Sequence, residues 1–430
     1  MILIKNTRLV DPLTGMDGIK DILVKDGKIA KIADEIPAKE DGDLQVIDGT
    51  GLVTAPGLVD VHVHFRDPGL TYKEDIMTGA KAAKAGGFTS VVCMANTKPP
   101  VDNHEILQYI MEKGKETGIH VYQAGTITRL MQGKELTDMS FLKEAGAPGF
   151  TDDGVPILEE DLVKQAMEEA ARLDVPLSFH EEDPAFIQNN GINAGAAAEK
   201  LGIGGSDRRA EISLVERDLK LALITGASVN IQHISSKEAV ELVRQAKRED
   251  ACGKKRGNIH AEATPHHFTL TENAVSEKGT LAKMNPPLRT EEDRLAIIEG
   301  LKDGTIDLIA TDHAPHSSEE KARDFTQAPS GITGLETALS LAIRSLVLPG
   351  HMTVMEVIRA MSLHPAKLYH LNAGFVAEEG PADLVLFDMN EEWKYEKSAS
   401  KSCNSPFLGE TMTGRVKYTV CNGKVVFNGR

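Results

Sequence analysis

One stretch of the sequence decides both the fold and the site: Pro56-Gly57-Leu58-Val59-Asp60-Val61-His62-Val63-His64-Phe65-Arg66. Successive side chains of a β-strand point to opposite faces, so a strand here places His62 and His64 on one face and the apolar residues that alternate with them on the other. Two imidazoles on the same face can bind one metal ion, since histidine is the commonest metal ligand. The alternative is an ordinary strand whose alternation happens to include two histidines.

The composition predicts a globular protein of ordinary solubility. The 430 residues are enough for one large domain and a smaller one. Hydrophobic residues make up 41% of the chain and charged residues 26%, and no stretch approaches the roughly 18 uninterrupted apolar residues of a membrane helix. The formal net charge of −16 disfavours binding to nucleic acid or to an anionic membrane.

The N-terminus and the cysteines predict a cytoplasmic location. Residues 1–5 enter a strand-like pattern directly and lack the basic-then-apolar layout of a secretory signal. The four cysteines form no short-spaced pair, so we expect free thiols in a reducing cytoplasm. A cysteine-based zinc site is therefore disfavoured, whereas a site of histidines and carboxylates is not.

Both ends of the chain have the pattern of short strands and turns. The candidate strands are residues 2–4, 21–24, 28–32, 382–388 and 416–420. Asp26-Gly27 and Asn422-Gly423 have the chemistry of tight hairpin turns. Because neither end could bury much core alone, we expect residues 1–55 and 370–430 to pair into one small β-sandwich domain. Two separate β appendages are the alternative.

Between these ends, in residues 56–369, strand candidates alternate with helix candidates. The strand candidates are residues 58–64, 90–95, 120–126, 149–151, 176–179, 229–233, 259–263 and 306–311. The helix candidates are residues 74–86, 103–117, 135–146, 157–173, 206–226, 235–249, 290–302 and 334–347. Eight strand–helix pairs in about 310 residues favour a closed parallel (β/α)8 barrel. A doubly wound open sheet is the alternative, but no glycine-rich phosphate loop follows the first strand.

Chemistry-bearing side chains stand at the carboxyl ends of these strands, where barrels place their sites. They are His62, His64, Asn96, Asp152, Asp153, His180, His233, His266, His267, Asp312 and His313. Any one of them alone could be an ordinary rim residue, but the chain has only 14 histidines to place. Imidazole with carboxylate and without thiolate suits zinc or a similar divalent ion in a catalytic site. Six candidate ligands exceed the three of a single catalytic zinc and suit two ions that share a bridging carboxylate.

Motifs spread over nearly the whole chain resemble those of the amidohydrolase superfamily and, within it, of the long-chain (class I) bacterial dihydroorotases. They lie at residues 60–66, 94–97, 150–154, 180–183, 233–235, 262–267, 283–289, 310–316 and 331–336. The histidine motif alone indicates only an amidohydrolase. The stretches Asn285-Pro286-Pro287-Leu288-Arg289 and Thr311-Asp312-His313-Ala314-Pro315-His316 together are much more specific.

The resemblance implies a zinc enzyme with two ions per subunit. It implies that His62, His64 and Asp312 bind one zinc ion, that His180 and His233 bind the second, and that Asp153 bridges the two. Asp153 is preferred over Asp152 by its place in the motif, and many relatives carry a carboxylated lysine at the bridging position instead. The implied reaction is the reversible hydrolysis of (S)-dihydroorotate to N-carbamoyl-L-aspartate in de novo pyrimidine (UMP) biosynthesis, with Asp312 as the general acid and base.

Dihydroorotate is a cyclic amide with a carboxylate, so it needs a cation and amide-type partners. The implied substrate contacts are His64, Arg66, Asn96, Asn285 and His316, together with the backbone of Ser330 and Gly331. The guanidinium of Arg66 suits a carboxylate, while a turn is the competing role for the two asparagines. Ser330 stands where many relatives have Phe, which could alter packing or loop mobility. His266 and His267 receive no role.

Two other functions stay open at this stage. A hydantoinase or allantoinase would share the fold and the ring-opening chemistry, but these relatives usually carry the lysine bridge, and hydantoin lacks a carboxylate for Arg66. A non-catalytic scaffold for aspartate carbamoyltransferase would have lost ligands that this chain retains. We also expect a homodimer, with association with aspartate carbamoyltransferase left open, and a polar loop at residues 317–330 that closes over the site.

Overall fold

The computed structural model describes residues 1–38, 44–252 and 258–429. The strands are β1 (Ile2–Asp11), β2 (Met16–Lys25), β3 (Lys28–Ala33), β4 (Gln45–Asp48), β5 (Val53–Pro56), β6 (Leu58–Val63), β7 (Phe88–Cys93), β8 (His120–Gln123), β9 (Phe150–Thr151), β10 (Leu177–Phe179), β11 (Ser228–Ile231), β12 (Asn258–Ala263), β13 (Leu308–Ile309), β14 (Leu384–Lys394), β15 (Thr411–Cys421) and β16 (Lys424–Asn428).

The α-helices are α1 (Ile76–Ala85), α2 (His104–Lys115), α3 (Met139–Glu144), α4 (Glu160–Leu173), α5 (Ala196–Leu201), α6 (Arg209–Thr225), α7 (Lys237–Cys252), α8 (Pro265–Thr269), α9 (Asn273–Lys278), α10 (Glu291–Lys302), α11 (Ser318–Lys321), α12 (Ala338–Ala342), α13 (Val354–Ile358) and α14 (His364–Leu368). Single 3-10 turns lie at Arg129–Met131, Pro184–Phe186 and Gly279–Ala282, and π-helical turns at Ile343–Val347 and Arg359–Leu363.

Strands β6 to β13 form a closed parallel barrel. β6, β7 and β8 pair in parallel, and so do the neighbours from β9 to β13. Parallel bridges from Gly125 to Phe150 and from Val63 to His313 join the two sets. The predicted (β/α)8 barrel is therefore confirmed and the open sheet is excluded. The eighth strand is shorter than predicted, because only Leu308–Ile309 pair within residues 306–311.

The barrel strands are buried on both faces because helices cover the outside and side chains fill the inside. Every residue of β7 is buried, and one apolar cluster contains Leu58, Phe88, Phe150 and Val229 from four different strands. Burial on both faces is what a parallel barrel strand requires. The sequence candidates were recognisable as short, largely apolar runs that alternate with helical stretches.

The two ends of the chain build a second sheet, whose order is β16-β15-β14-β5-β1-β2-β3, with β4 paired to β1. Antiparallel pairing of β14 with β5 joins the C-terminal strands to the N-terminal ones. Ile4, Ile22, Leu384 and Val420 share one buried cluster, so the sheet packs onto itself. The predicted β-sandwich from both chain ends is confirmed.

Both predicted hairpin turns are present. Asp26 and Gly27 join β2 to β3 with φ of 49° and 81°, and Asn422 and Gly423 join β15 to β16 with φ of 49° and 69°. Two successive positive φ values suit the two-residue turn whose twist matches that of the strands it joins.

Part of the C-terminal region leaves this sheet and packs on the barrel. Tyr395, Phe407 and Met412 share a buried cluster with Met284 and Ile332 of the barrel loops. A division into residues 1–55 plus 370–430 and residues 56–369 stays a proposal, because the chain around Phe407 packs against the barrel. No helix in the three described ranges combines the length and apolar character of a membrane span.

We predict that Gly57→Ala destabilises the junction between the two sheets. A Cβ on Gly57 would lie 2.1 Å from Oγ1 and 2.3 Å from Cγ2 of Thr89, and overpacking of this kind costs about 1–3 kcal/mol of the free energy of unfolding. The midpoint of thermal unfolding should fall accordingly. The control is Gly18→Ala, where an added Cβ meets no atom of the described residues within 4 Å. Equal midpoints for the two variants would contradict the prediction.

Candidate active site

The six predicted ligands meet at the carboxyl end of the barrel. His62 lies in β6, and the other five follow the ends of β6, β9, β10, β11 and β13. Their ligand atoms form three groups within 4.8 Å: His62, His64 and Asp153; His62, His233 and Asp312; Asp153, His180 and His233. All six side chains are buried. The structure therefore brings together every residue that the sequence assigned to metal.

The His62 ring is oriented by a carboxylate behind it. Nδ1 lies 2.5 Å from Oε1 of Glu262, so Nε2 faces the centre, at 3.3 Å from Asp153 Oδ1 and 3.4 Å from Asp312 Oδ1. Burial lowers the pKa of His62, but the three carboxylates outweigh it and raise that pKa well above its ordinary value. A carboxylate on the outer nitrogen fixes the tautomer of a metal-binding imidazole.

His180 and His233 form the other half of the centre. Nδ1 of His180 lies 2.8 Å from Nε2 of His233 and 3.6 Å from Oδ1 of Asp153, and its Nε2 lies 3.1 Å from Oε2 of Glu182. Burial and the neighbouring His180 and His62 lower the pKa of His233 well below its ordinary value. Its ring is therefore neutral, as metal binding requires.

These residues fit a divalent cation. His62 Nε2 and Asp153 Oδ1 are buried and make no hydrogen bond within the described residues. Burial raises the pKa of Asp153, but His62, His180 and His64 outweigh it and hold that pKa well below its ordinary value, so the carboxylate is ionised. Buried ring nitrogens and ionised oxygens that converge on one point are the ligand set of zinc and similar ions. The six residues form a candidate metal centre.

The structure distinguishes the two neighbouring aspartates. Asp152 Oδ1 accepts hydrogen bonds from the backbone N–H groups of Ile127 (2.8 Å) and Thr128 (3.1 Å), and its Oδ2 accepts from the Thr128 hydroxyl. Burial raises the pKa of Asp152 to about 6. Asp152 therefore holds the preceding loop, whereas Asp153 faces the histidines.

A cavity of about 310 Å³ opens above the metal-binding residues. It is lined by all seven residues that the sequence assigned to substrate, namely His64, Arg66, Asn96, Asn285, His316, Ser330 and Gly331. Gly154, Asn190, Ala314 and Pro329 also line it. The cavity thus joins the predicted substrate contacts to the candidate metal centre.

The two asparagines of the cavity differ in their bonding. Asn96 Oδ1 accepts from His64 Nδ1 at 3.0 Å, and its Nδ2 donates to Asp153 Oδ2 at 3.0 Å, so Asn96 orients two of the predicted ligands. Asn285 Oδ1 is buried and makes no hydrogen bond within the described part of the chain, which leaves it available to a ligand.

Arg66 is a half-buried cation on the cavity wall. Its Nε donates to the Pro315 carbonyl at 3.3 Å, and burial lowers its pKa, against the opposing effect of Asp312 and Asp153. The backbone φ of Arg66 is 59°, which turns the chain sharply after β6. A partly desolvated guanidinium beside a polar cavity is suited to a carboxylate.

The segment of residues 317–330 is not an unbroken loop. It begins with α11 and is tied down by two buried lysines. Lys321 Nζ donates to the carbonyls of Pro329 (2.9 Å) and Gly331 (3.1 Å), and Lys283 Nζ donates to that of Ala328 (2.8 Å). The N–H of Gly331 also donates to the Lys283 carbonyl, so the polar groups of Gly331 already have partners in the protein. Closure of this segment stays a prediction.

Sequence reasoning left Glu262 and Asn190 without a role. Glu262 is fully buried in β12 and also accepts from Asn230 Nδ2 at 2.9 Å. An acidic residue inside an apolar barrel strand is a signal that could have identified it. Asn190 lies on the irregular chain after β10, where no local pattern marks it. His267 bonds Thr264 Oγ1 (2.7 Å) and the Pro286 carbonyl (3.0 Å), as befits a residue without a predicted role.

The model of the Amidohydrolase family matches residues 53–426. The chain belongs to the amidohydrolase family.

Within that family, the relatives similar to this chain over its full length include dihydroorotases. The chain is 56% identical over 430 residues to the dihydroorotase of Clostridioides difficile (strain 630), with 100% of both chains covered. It is 51% identical over 432 residues to that of Clostridium acetobutylicum, again with 100% of both covered. It is 50% identical over 429 residues to that of Streptococcus pneumoniae serotype 4, covering 99% of this chain and 100% of the relative.

Solved structures with the same fold include hydantoinases. The L-hydantoinase (dihydropyrimidinase) of Arthrobacter aurescens has a TM-score of 0.85 at 26% identity, covering 99% of this chain and 96% of that one. The dihydropyrimidinase of Brevibacillus agri NCHU1002 has a TM-score of 0.82 at 22% identity, covering 99% and 95%. The second of these supports the fold alone.

We predict that replacement by asparagine affects metal binding at Asp153 and stability at Asp152. Asp153→Asn removes an ionised oxygen from the centre and should weaken divalent metal binding by more than about tenfold. Asp152→Asn should keep the metal and lower the free energy of unfolding by about 1–3 kcal/mol, because it weakens the bonds to Thr128. Metal content after dialysis against a chelator, together with thermal unfolding, separates the two. Loss of metal from Asp152→Asn alone would reverse the assignment.

Proposed function

We propose that this chain is a dihydroorotase, which hydrolyses (S)-dihydroorotate reversibly to N-carbamoyl-L-aspartate in de novo pyrimidine (UMP) biosynthesis. The observation that carries the proposal is the guanidinium of Arg66 on the wall of the cavity that also contains Asp153, His180, His233 and Asp312. A cyclic amide with a carboxylate needs a cation and a hydrolytic centre within one small cavity. The full-length relatives at 50–56% identity carry the same activity in their names.

The centre is proposed to hold two zinc ions per subunit. His62, His64 and Asp312 would hold one, His180 and His233 the other, and Asp153 would bridge them. In support, Asp153 belongs to two of the three ligand groups, one with His62 and His64 and one with His180 and His233. Bound divalent ions supply Lewis acidity, which makes water more acidic and polarises a carbonyl.

Asp312 is proposed as the general acid and base. Its Oδ1 lies 3.0 Å from His64 Nε2 and 3.4 Å from His62 Nε2, and it lines the cavity. A carboxylate held at that point can take a proton from the attacking water and deliver it to the ring nitrogen that leaves. Arg66, Asn285 and His316 would hold the ring and its carboxylate while the proton moves.

A hydantoinase is the second candidate, because the solved structures with this fold include hydantoinases. Two features argue against it. The bridging position carries Asp153 rather than lysine, and Arg66 has no anion to bind in hydantoin. A scaffold without activity is also disfavoured, because all six metal-binding side chains are retained and converge.

The assembly and the location belong to the same proposal. We propose a homodimer in the cytoplasm, with association with aspartate carbamoyltransferase as a separate question. The four cysteines are unpaired thiols, as expected in a reducing compartment. Light scattering of the purified protein alone measures whether it is a dimer. The same measurement on a mixture with aspartate carbamoyltransferase shows whether the two proteins associate.

The test of function is a turnover assay of the purified protein supplied with zinc. Dihydroorotate, hydantoin and allantoin are compared at equal concentrations, with metal content measured on the same sample. Selective opening of dihydroorotate supports the proposal. Turnover of hydantoin or allantoin instead would assign the protein to the second candidate, and the absence of all turnover with metal bound would favour the scaffold.

We predict that Asp312→Asn keeps much of the metal and loses turnover by about 100-fold to 10,000-fold, the range of general acid–base catalysis. The amide retains an oxygen for the metal but cannot accept the proton. The control is Asp17→Asn, an exposed aspartate of β2 paired with Arg8, which should leave turnover unchanged. Near-normal turnover of Asp312→Asn on dihydroorotate would exclude Asp312 as the catalytic residue.

A further inference from the structure

Lys73 contacts the ring of His316, one of the residues that line the cavity. Lys73 follows β6 and is only 8% exposed. Its Nζ lies 3.2 Å from His316 Nδ1 and 3.0 Å from Glu320 Oε1. An ammonium group has donors and no acceptor. His316 Nδ1 must therefore accept, and the proton of the neutral ring is on Nε2.

The other nitrogen of the ring is bonded consistently with this tautomer. His316 Nε2 lies 2.8 Å from the carbonyl oxygen of Ser330 and donates to it. Burial, together with the cations of Arg66, Lys73 and Lys321, lowers the pKa of His316 well below its ordinary value. The His316 ring is therefore neutral, and its single N–H points to the Ser330 carbonyl at the wall of the cavity.

We propose that Lys73 is a positioning residue: it fixes His316 as a neutral Nε2–H donor that holds the Ser330 carbonyl at the cavity wall, and it thereby sets the affinity for a substrate with a carboxylate. The second half of this inference rests on the proposed function; the first half, the tautomer, does not. The geometry places Lys73 against His316 and Glu320, not among the predicted metal ligands.

Glu320 explains why the lysine is needed. Its Oε2 lies 3.8 Å from His316 Nδ1, so without Lys73 this carboxylate would attract the ring proton to Nδ1. A second proton on the ring is disfavoured by burial beside Arg66 and Lys321. Nε2 would then present a lone pair to the Ser330 carbonyl, so this contact would become repulsive and the cavity wall at Ser330 would shift.

The backbone on both sides of this contact is anchored by the C-terminal segment. The carbonyl of Lys73 accepts from the Ser402 hydroxyl at 2.6 Å. Asn404 Oδ1 accepts from the backbone N–H of His316 at 3.0 Å, and its Nδ2 donates to the carbonyls of Ala314 and Gly331, both at 3.0 Å. Lys73 and His316 therefore cannot easily drift apart, as positioning requires.

The experiment compares Lys73→Met with the wild-type enzyme, both loaded with zinc. The KM for dihydroorotate should rise about tenfold, the value of one charge-assisted hydrogen bond, while kcat and metal content stay within about twofold. Lys73→Arg keeps a cationic donor and should restore most of the affinity. The matched control is Lys220→Met, an exposed helical lysine paired with Glu216, which should change neither constant.

The second measurement reads the tautomer directly. Long-range proton–nitrogen correlations on protein with 15N-labelled histidine distinguish Nε2–H from Nδ1–H, and His316→Gln assigns the signals of this ring. We expect Nε2–H in the wild type and in Glu320→Gln, and Nδ1–H in Lys73→Met. Should Lys73→Met fail to fold, the double variant with Glu320→Gln removes both charges of the pair, and we expect a mixed tautomer population and a raised KM.

The outcomes separate the two levels of the inference. An unchanged Nε2–H signal with an unchanged KM in Lys73→Met would overturn the role of Lys73. A lost tautomer preference with equal losses in kcat and metal content would also overturn it, since that pattern marks general damage to the site. A wild-type protein that does not open dihydroorotate refutes the proposed function, while the tautomer measurement still decides whether Lys73 fixes His316.

Discussion

The crowding of electron-donating atoms at one end of the barrel is the constraint on which the site depends. Four imidazoles and two carboxylates converge there. Each imidazole has two ring nitrogens, and a hydrogen-bond partner on the outer nitrogen directs the other one to the centre. Three outer partners do this: Glu262 for His62, Asn96 for His64 and Glu182 for His180. These partners lie in or after different strands of the barrel, so the positions of the ring nitrogens depend on how the strands are placed by closure of the barrel.

A buried carboxylate, that of Asp60, helps to close the barrel between its first and last strands. Asp60 in β6 accepts from the backbone N–H of Thr311, at 3.2 Å, and from that of His62, at 3.0 Å, and so connects the first barrel strand to the last. Asp60 is fully buried, and this burial raises its pKa to about 6. Close to it the backbone is strained: φ is 59° at Arg66, 32° at His233 and 48° at Asp312. Such conformations cost about 1–3 kcal/mol each and persist only where the surroundings impose them.

Local patterns in the sequence were sufficient for the fold and for the candidate metal ligands, whereas the substrate contacts came from the family resemblance. Short, largely apolar runs marked the barrel strands, and histidines and aspartates at the ends of those runs marked the rim. Spacing alone could not separate Asp152 from Asp153, because a turn follows β9 and no strand alternation assigns their directions. The contacts of Asn404 with the rim could not be predicted from the sequence for another reason. Asn404 enters the rim through the packing of the chain around Phe407 on the barrel, and no local pattern encodes that contact.

The cavity must bind an anionic substrate although the protein as a whole is negatively charged. The formal net charge is −16, but at physiological ionic strength exposed charges act over only about 8 Å, so the field inside the cavity is set by its nearest groups. The carboxylates of Asp153 and Asp312 line this cavity, and the cations beside it are Arg66 on the wall, with Lys73 and Lys321 behind His316. Glu320 neutralises part of that charge, since Lys73 pairs with it at 3.0 Å. Of these cations, Arg66 is the one that lines the cavity itself. A fold shared with hydantoinases can in this way select a ring that carries a carboxylate, because selection needs only one cation on the wall of a common hydrolytic centre.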